Sequence, residues 1–341
     1  MKAPPAAVVR AGWLIAGGLL WAPPTMARVL AVGPGLPFPL PSAAAAAARN
    51  GDQVTIAPDT YFDCAEWRAS DLVISATAPG VTITDKACGG KASFVISGDR
   101  VTVRGISFDR VRVPDGNGAG IRAEGRDLTV EDCTFVNDQD GILSGRQGGF
   151  LRISNSRFIA NGISLDGRPT HAVTVGALDL LRIEHSSFAK GRGGDDIDSS
   201  ARRTEIVADS FADEGGHMAG PLVMVRGGAL TLDGNRFDLA PAAADRPGAV
   251  LFVGDATALA VRGNTLVEPQ GHVPLLRNWT GLSATAQANT APPNAVVVSD
   301  SGTTYHRLRA QLAALRDELR GLAHTLRHIV GSAARAAHLI R

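Results

Sequence analysis

The densest group of chemically capable side chains is Gly191-Arg192-Gly193-Gly194-Asp195-Asp196-Ile197-Asp198, followed by Arg202 and Arg203. Adjacent carboxylates repel unless a cation or a base lies between them, and oxygen donors of this kind suit Ca2+. With Ile197 turned inward on a strand, Asp196 and Asp198 both project from one outer surface. Asp195, Asp196 and Asp198 are therefore the candidate calcium ligands. A solvated acidic turn with Arg neighbours accounts for the same residues, and both readings stay open. Two earlier turns have similar chemistry: Asp115-Gly116-Asn117-Gly118-Ala119-Gly120 and Asn137-Asp138-Gln139-Asp140-Gly141. Asn117, Asp138 and Asp140 are the candidate substrate-binding groups there. Arg122, His171 and Arg202 are the candidate bases, imidazole being the side chain that ordinarily exchanges protons near neutral pH. The Gly116–Gly120 stretch is not a dinucleotide fingerprint, because no helix follows it.

These turns belong to a repeat. An apolar-polar-apolar triplet, a short turn and an apolar closing residue recur as Val101-Thr102-Val103…Phe108, Leu128-Thr129-Val130…Phe135 and Leu151-Arg152-Ile153…Phe158. The pattern continues to Phe188, Phe211, Phe237 and Leu266, with closing residues 27, 23, 30, 23, 26 and 29 apart. Such alternation is that of a strand with one face in and one out. A second strand row reads Ile121, Ile142, Val173, Ile197, Val223, Leu251 and Leu275. Equivalent strands about 25 residues apart, with no room for a helix, stack as coils at ~4.8 Å instead of forming a doubly wound sheet. A third row, two residues before each closing position, holds Cys133, Ser156, Ser186, Asp209, Asn235 and Asn264, small polar residues suited to a stacked turn. It is read as structural, and His185 beside it likewise. The fold expected is an all-β, right-handed parallel β-helix. Stacking brings Asn117, Asp138, Asp140, His171, Asp195 and Asp196 toward one edge, with Arg122 projecting from the adjacent strand.

The termini differ in character. Lys2 and Arg10, the apolar run Ala11 to Ala22 and Pro23-Pro24-Thr25-Met26-Ala27 read as a signal peptide over 1–27, too short to span a ~30 Å bilayer. The protein is thus expected to be exported, to the periplasm or outside the cell. Residues 28–302 form the β-helix domain, opened by a short capping helix at Pro41-Ser42 and the Ala run to Ala48. Residues 303–341 read as a basic amphipathic helix with a stripe through Leu308, Leu312, Leu315, Leu319, Leu322, Leu326 and Ile329. Seven Arg stand there against Asp317 and Glu318. That helix has three open roles: capping the solenoid, self-association, or contact with an anionic membrane surface. A net charge of +1 removes the electrostatic case for nucleic acid.

Gly51-Asp52-Gln53-Val54-Thr55-Ile56-Ala57-Pro58 followed by Thr60-Tyr61 resembles the opening coil of the pectin-lyase-like β-helix superfamily, a likeness running from about Val32 to Val298. It implies a long acidic polysaccharide along the outer strand row, with Ca2+ acidifying a sugar proton that Arg, Lys or His removes. Cys64-Ala65-Glu66-Trp67, Cys88 to Lys91 and Asp115 to Ile121 also resemble a set of exported bacterial β-helix proteins. That set has His-x-Ile-Lys-Ser-Arg-Ala where this chain has Asp195-Asp196-Ile197-Asp198-Ser199-Ser200-Ala201, a reversal of charge. Two functions remain open. One is action on an acidic polysaccharide as a lyase, epimerase or hydrolase. The other is a noncatalytic envelope scaffold or glycan binder that associates through the Leu stripe. Trp67, Trp279, Tyr61 and Tyr305 are the only Trp and Tyr beyond the leader, so a glycan site would rely on polar and charged groups. Cys64 and Cys88, both in the first coils of an exported chain, are expected to form a disulfide, with Cys133 left buried and reduced.

Overall fold

A computed structural model describes residues 27–145, 148–162, 169–214, 220–240, 246–267 and 273–300. All but the last residue of the segment read as a signal peptide (1–27), and the whole 303–341 segment read as a basic helix, lie outside them. Three parallel sheets, of eleven, ten and nine strands, run the length of a right-handed β-solenoid. One coil visits each sheet once. Leu128–Glu131 lies in the eleven-stranded sheet, Thr134–Val136 in the nine-stranded and Asp140–Ser144 in the ten-stranded, before Phe150–Ser154 starts the next coil.

The triplet row is the eleven-stranded sheet and the closing Phe row is the nine-stranded one. Phe108, Phe135, Phe158, Phe188, Phe211 and Phe237 stack with centroids 4.7–5.1 Å apart and planes within 11°. Ring spacing equals the strand spacing, so each coil buries one ring flat on the last.

Between these sheets the small polar row makes a ladder. Asp209 Oδ1 accepts from Ser186 N–H (2.6 Å), Asn235 Oδ1 from Asp209 N–H (2.9 Å), and Asn264 Oδ1 from Asn235 N–H (2.9 Å). Asn289 extends it by one step beyond the sequence reading. The preceding residues, among them Asp132, His185, Ala208 and Gly234, are left-handed (φ +53 to +68°), which turns the chain sharply enough to aim each side chain at the next coil.

At the corner entering the ten-stranded sheet, strict alternation fails. Two consecutive residues face the core there: Ala172 and Val173, Leu222 and Val223, Ala249 and Val250, Leu275 and Leu276. The inward row accordingly continues from Val223 to Val250 and Leu276, one residue off the expected Leu251 and Leu275. The same corner corrects Asp196. It precedes Ile197, which aligns with Val173 and Val223, so it occupies the core row of Ala172 and Leu222 and not the outer surface. It is 4% exposed.

The solenoid begins under the helix Pro41–Ala47, which packs on the strand Ala65–Trp67. Ser42 does not cap it. Pro41 fills the first turn, and the Asp63 carboxylate accepts from Ser42 N–H at 2.8 Å. Cys64 and Cys88 are disulfide-bonded, their Cα atoms 5.4 Å apart.

Candidate functional site

The outer face of the ten-stranded sheet presents one side chain per coil in register: Val95, Arg122, Leu143, Thr174, Asp198, Met224, Leu251 and Arg277. Near the middle, His171 stands just ahead of the strand Val173–Val175. Its backbone N–H donates to Asp140 Oδ1 (3.1 Å), which also accepts from Thr174 Oγ1 (3.3 Å). His171 Nδ1 lies 2.9 Å from Asp195 N–H and 3.2 Å from the Asp195 carbonyl oxygen, so it accepts from the first when the proton is on Nε2 and donates to the second when Nδ1 carries it. Nε2 is 3.7 Å from Asp198 Oδ2, while Nδ1 is 3.8 Å from Asp195 Oδ2. Gly194 lies flat on the ring: a Cβ there would sit 2.6 Å from His171 Cε1, so only glycine fits.

Arg226 holds Asp198 through both nitrogens of its fork, Nε at 2.7 Å and the terminal nitrogen at 2.9 Å. Burial pushes the Asp198 carboxyl up, but the Arg226 hydrogen bonds and the charges of His171 and Arg226 outweigh it and hold it low. Asp195 is different. Burial raises its carboxyl to about 7 against the pull of His171. Asp140, buried in the same row, is pushed up to about 6. One imidazole is thus flanked by one carboxylate held ionised and one acid that exchanges its proton near neutrality, an arrangement suited to moving a proton.

The expected site residues separate. His171, Asp195 and Asp198 come together, with ligating atoms within 4.8 Å of one another. Asp196 is outside this group: its surroundings are Asp195, Asp213 and Arg246, and burial followed by the two acids raises it to about 8. Asp213 and Arg246 form an ion pair, both buried. Asp138 is no substrate ligand. It is fully buried, and its Oδ1 accepts from Val111 N–H at 2.8 Å to fasten a turn. Asp140 is likewise buried and positions His171. Asn117 lies half-buried in the turn before Ala119–Ala123. Arg122 projects on the outward row, close enough for its charge to lower Asp140. Arg202 sits past the far end of the strand, 81% exposed and 3.7 Å from Asp179, away from His171.

Sequence reasoning missed Arg226. Its signal was present: Val223-Met224-Val225-Arg226 alternates, so Arg226 shares the outward face with Met224, and Met224 lies beside Asp198. The group is a poor Ca2+ site. That ion takes six to eight oxygens, whereas here one of the three donors is a nitrogen and one carboxylate is taken up by a guanidinium.

No family model and no curated protein matches the chain. Among solved structures it is similar to an alginate lyase from Paenibacillus sp. str. FPU-7, at 15% identity and a TM-score of 0.61 over 80% of this chain and 98% of that one. It is also similar to the PL6 family alginate lyase AlyGC, at a TM-score of 0.54 and 18% identity. In that comparison 81% of this chain spans only 42% of AlyGC. Likeness at such identities speaks to architecture, and it agrees with the three-sheet coil described above: the chain is a parallel β-helix of the pectin-lyase-like fold.

Proposed function

We propose that this is an exported protein that binds an acidic polysaccharide along the outer face of the ten-stranded sheet and acts on it at His171. One observation carries the reading: His171 is held between two acids, its Nδ1 against the Asp195 backbone and its Nε2 3.7 Å from Asp198 Oδ2, on a row that also carries Arg122. Elimination, epimerisation and hydrolysis of a uronate chain differ in their first step, but each needs a proton delivered. In elimination and hydrolysis it goes to the leaving glycosidic oxygen, in epimerisation to the sugar carbon beside the carboxylate. For elimination His171 starts neutral with its proton on Nδ1, toward the Asp195 carbonyl (3.2 Å); Nε2 then takes the proton from the carbon beside the carboxylate, and the imidazolium so formed, stabilised by Asp198, passes it to the leaving oxygen. The guanidinium of Arg122 is suited to neutralising a uronate carboxylate, which acidifies the adjacent C–H. The alginate lyases of similar architecture support the substrate class, and the Cys64–Cys88 disulfide supports an oxidising compartment.

The test is turnover of polymannuronate, polyguluronate and polygalacturonate by the wild type and His171→Ala, with Ca2+ and with a chelator. Unsaturated ends absorb in the ultraviolet, new reducing ends report hydrolysis, and NMR reads epimerisation. Turnover that falls by about 100-fold or more in His171→Ala supports the reading. Binding without turnover would make the protein a glycan-binding scaffold instead, and neither binding nor turnover would overturn the proposal.

A further inference from the structure

We infer that Arg112 and Arg192 form an anion-binding subsite at the corner between the nine- and ten-stranded sheets, taking the carboxylate or sulfate of an acidic glycan. Arg112 follows the strand Ser107–Asp109, Asn137 follows Thr134–Val136 one coil later, and Arg192 follows Ser187–Ala189 two coils beyond that. Both guanidiniums nonetheless reach the same atom. Asn137 Oδ1 accepts from an Arg112 terminal nitrogen at 3.1 Å and lies 3.5 Å from an Arg192 terminal nitrogen.

Two like charges drawn to one neutral oxygen repel, and a neutral amide offsets neither. The nearby carboxylates are otherwise engaged: Arg110 takes both Asp85 and Asp109. Among the described residues neither Arg112 nor Arg192 makes an ion pair. Burial lowers the pKa of Arg112 most, the charge of Asp138 acts against it and that of Arg192 adds to it, while burial pushes the Asp138 carboxyl itself well above the ordinary range. Beyond its bonds to Asn137 and to the Val111 carbonyl (2.9 Å), the Arg112 fork keeps N–H groups for an oxyanion. What neither guanidinium has, among the described residues, is a carboxylate within ion-pair distance.

The backbone that carries Arg192 is closely held. Its N–H donates to the Asn161 carbonyl at 2.9 Å, and Gly193 is pressed so closely on Gly162 that a Cβ would lie 2.0 Å from the carbonyl oxygen. Three residues on, Asp195 meets His171. One glycine-packed loop therefore carries both an anion clamp and the support of the proton-transfer group, so a polyanion held at Arg192 is led toward His171. This last step rests on the polysaccharide reading.

Asn137→Asp supplies such a carboxylate from within the protein, and aspartate tolerates the left-handed backbone at this position (φ +57°). Calorimetric titration with oligogalacturonate and oligoguluronate should show binding weakened about tenfold or more by Arg192→Gln and by Asn137→Asp. Arg152→Gln, on the eleven-stranded sheet, should bind as the wild type does. Wild-type affinity in Arg192→Gln would overturn the subsite while leaving the polysaccharide reading intact. If the wild type binds neither oligosaccharide, that reading fails, and titration with inorganic sulfate decides the subsite alone. Shifts of the Arg112 and Arg192 Nε–H resonances that vanish in Asn137→Asp sustain it, and their absence in the wild type overturns it.

Discussion

A carboxyl that faces a hydrophobic core must find a proton or a cation. Asp196 stands in a row with Ala172, Leu222, Ala249 and Leu275, and its nearest cation, Arg246, is already paired with Asp213. Hence burial raises it to about 8. The unfolded chain releases the same proton near 3.9. Between those values the folded protein holds one proton more, so the stability tied to Asp196 is full below about pH 4 and lost as pH rises toward 8. Asp195 and Asp140 run in the same direction, and Asp198, held low by Arg226, runs in the opposite one. Asp196→Asn should raise the urea midpoint at about pH 8. It should also flatten the loss of stability between about pH 5 and 8 by up to ~1.4 kcal/mol per pH unit. An unchanged slope would mean that Asp196 is ionised against Arg246.

At the scale of the element, the coil is specified by two ladders, the flat Phe stack and the polar turn row. Asn235 shows why the second is structural. It accepts from Asp209 N–H, donates to the Ile206 carbonyl at 2.7 Å and donates to Asn264 Oδ1 at 2.9 Å, all buried. Asn235→Ala leaves an amide N–H and a carbonyl without partners in a site closed to water, at about 1–3 kcal/mol each. The expected cost is about 2–4 kcal/mol by denaturant unfolding, without loss of the stacked fold. A change below about 0.5 kcal/mol, the range of ordinary surface substitutions, would show that the ladder contributes nothing to stability. The spacing of the two rows made both legible in the sequence. Their partner residues were legible too, because each side chain meets its own equivalent one coil away.

For the molecule as a whole, the open end of a solenoid is its weak point, since a strand edge there lacks a neighbour. The first coils are secured by the Pro41–Ala47 helix and by the Cys64–Cys88 bond, which closes a separation of 24 residues. In the chain-entropy description that closure contributes ~3 kcal/mol. Cys133 is a different kind of cysteine: it is fully buried, and burial pushes its thiol up to about 12. Thiol titration should therefore find no rapidly reacting group in the native protein and one after denaturation. Reduction should lower the denaturation midpoint. Three thiols in unreduced, denatured protein would refute the pairing.

Period and residue type alone determined the solenoid, its two repeat rows and the structural role of Asp209, Asn235 and Asn264, because those features repeat and each depends on its own copy in the next coil. The clustering of His171 with Asp195 and Asp198 was half legible, as all three lie near one strand row. Tertiary structure alone decided the rest. Two consecutive residues face inward at the corner, which moved Asp196 into the core and shifted the row to Val250 and Leu276. Arg226, which holds Asp198, and the Arg112–Asn137–Arg192 convergence join residues from different coils through turns of unequal length. Alternation along a strand is local, set by the pleat. The direction of a corner, and which distant side chain reaches across it, depends on how neighbouring coils pack.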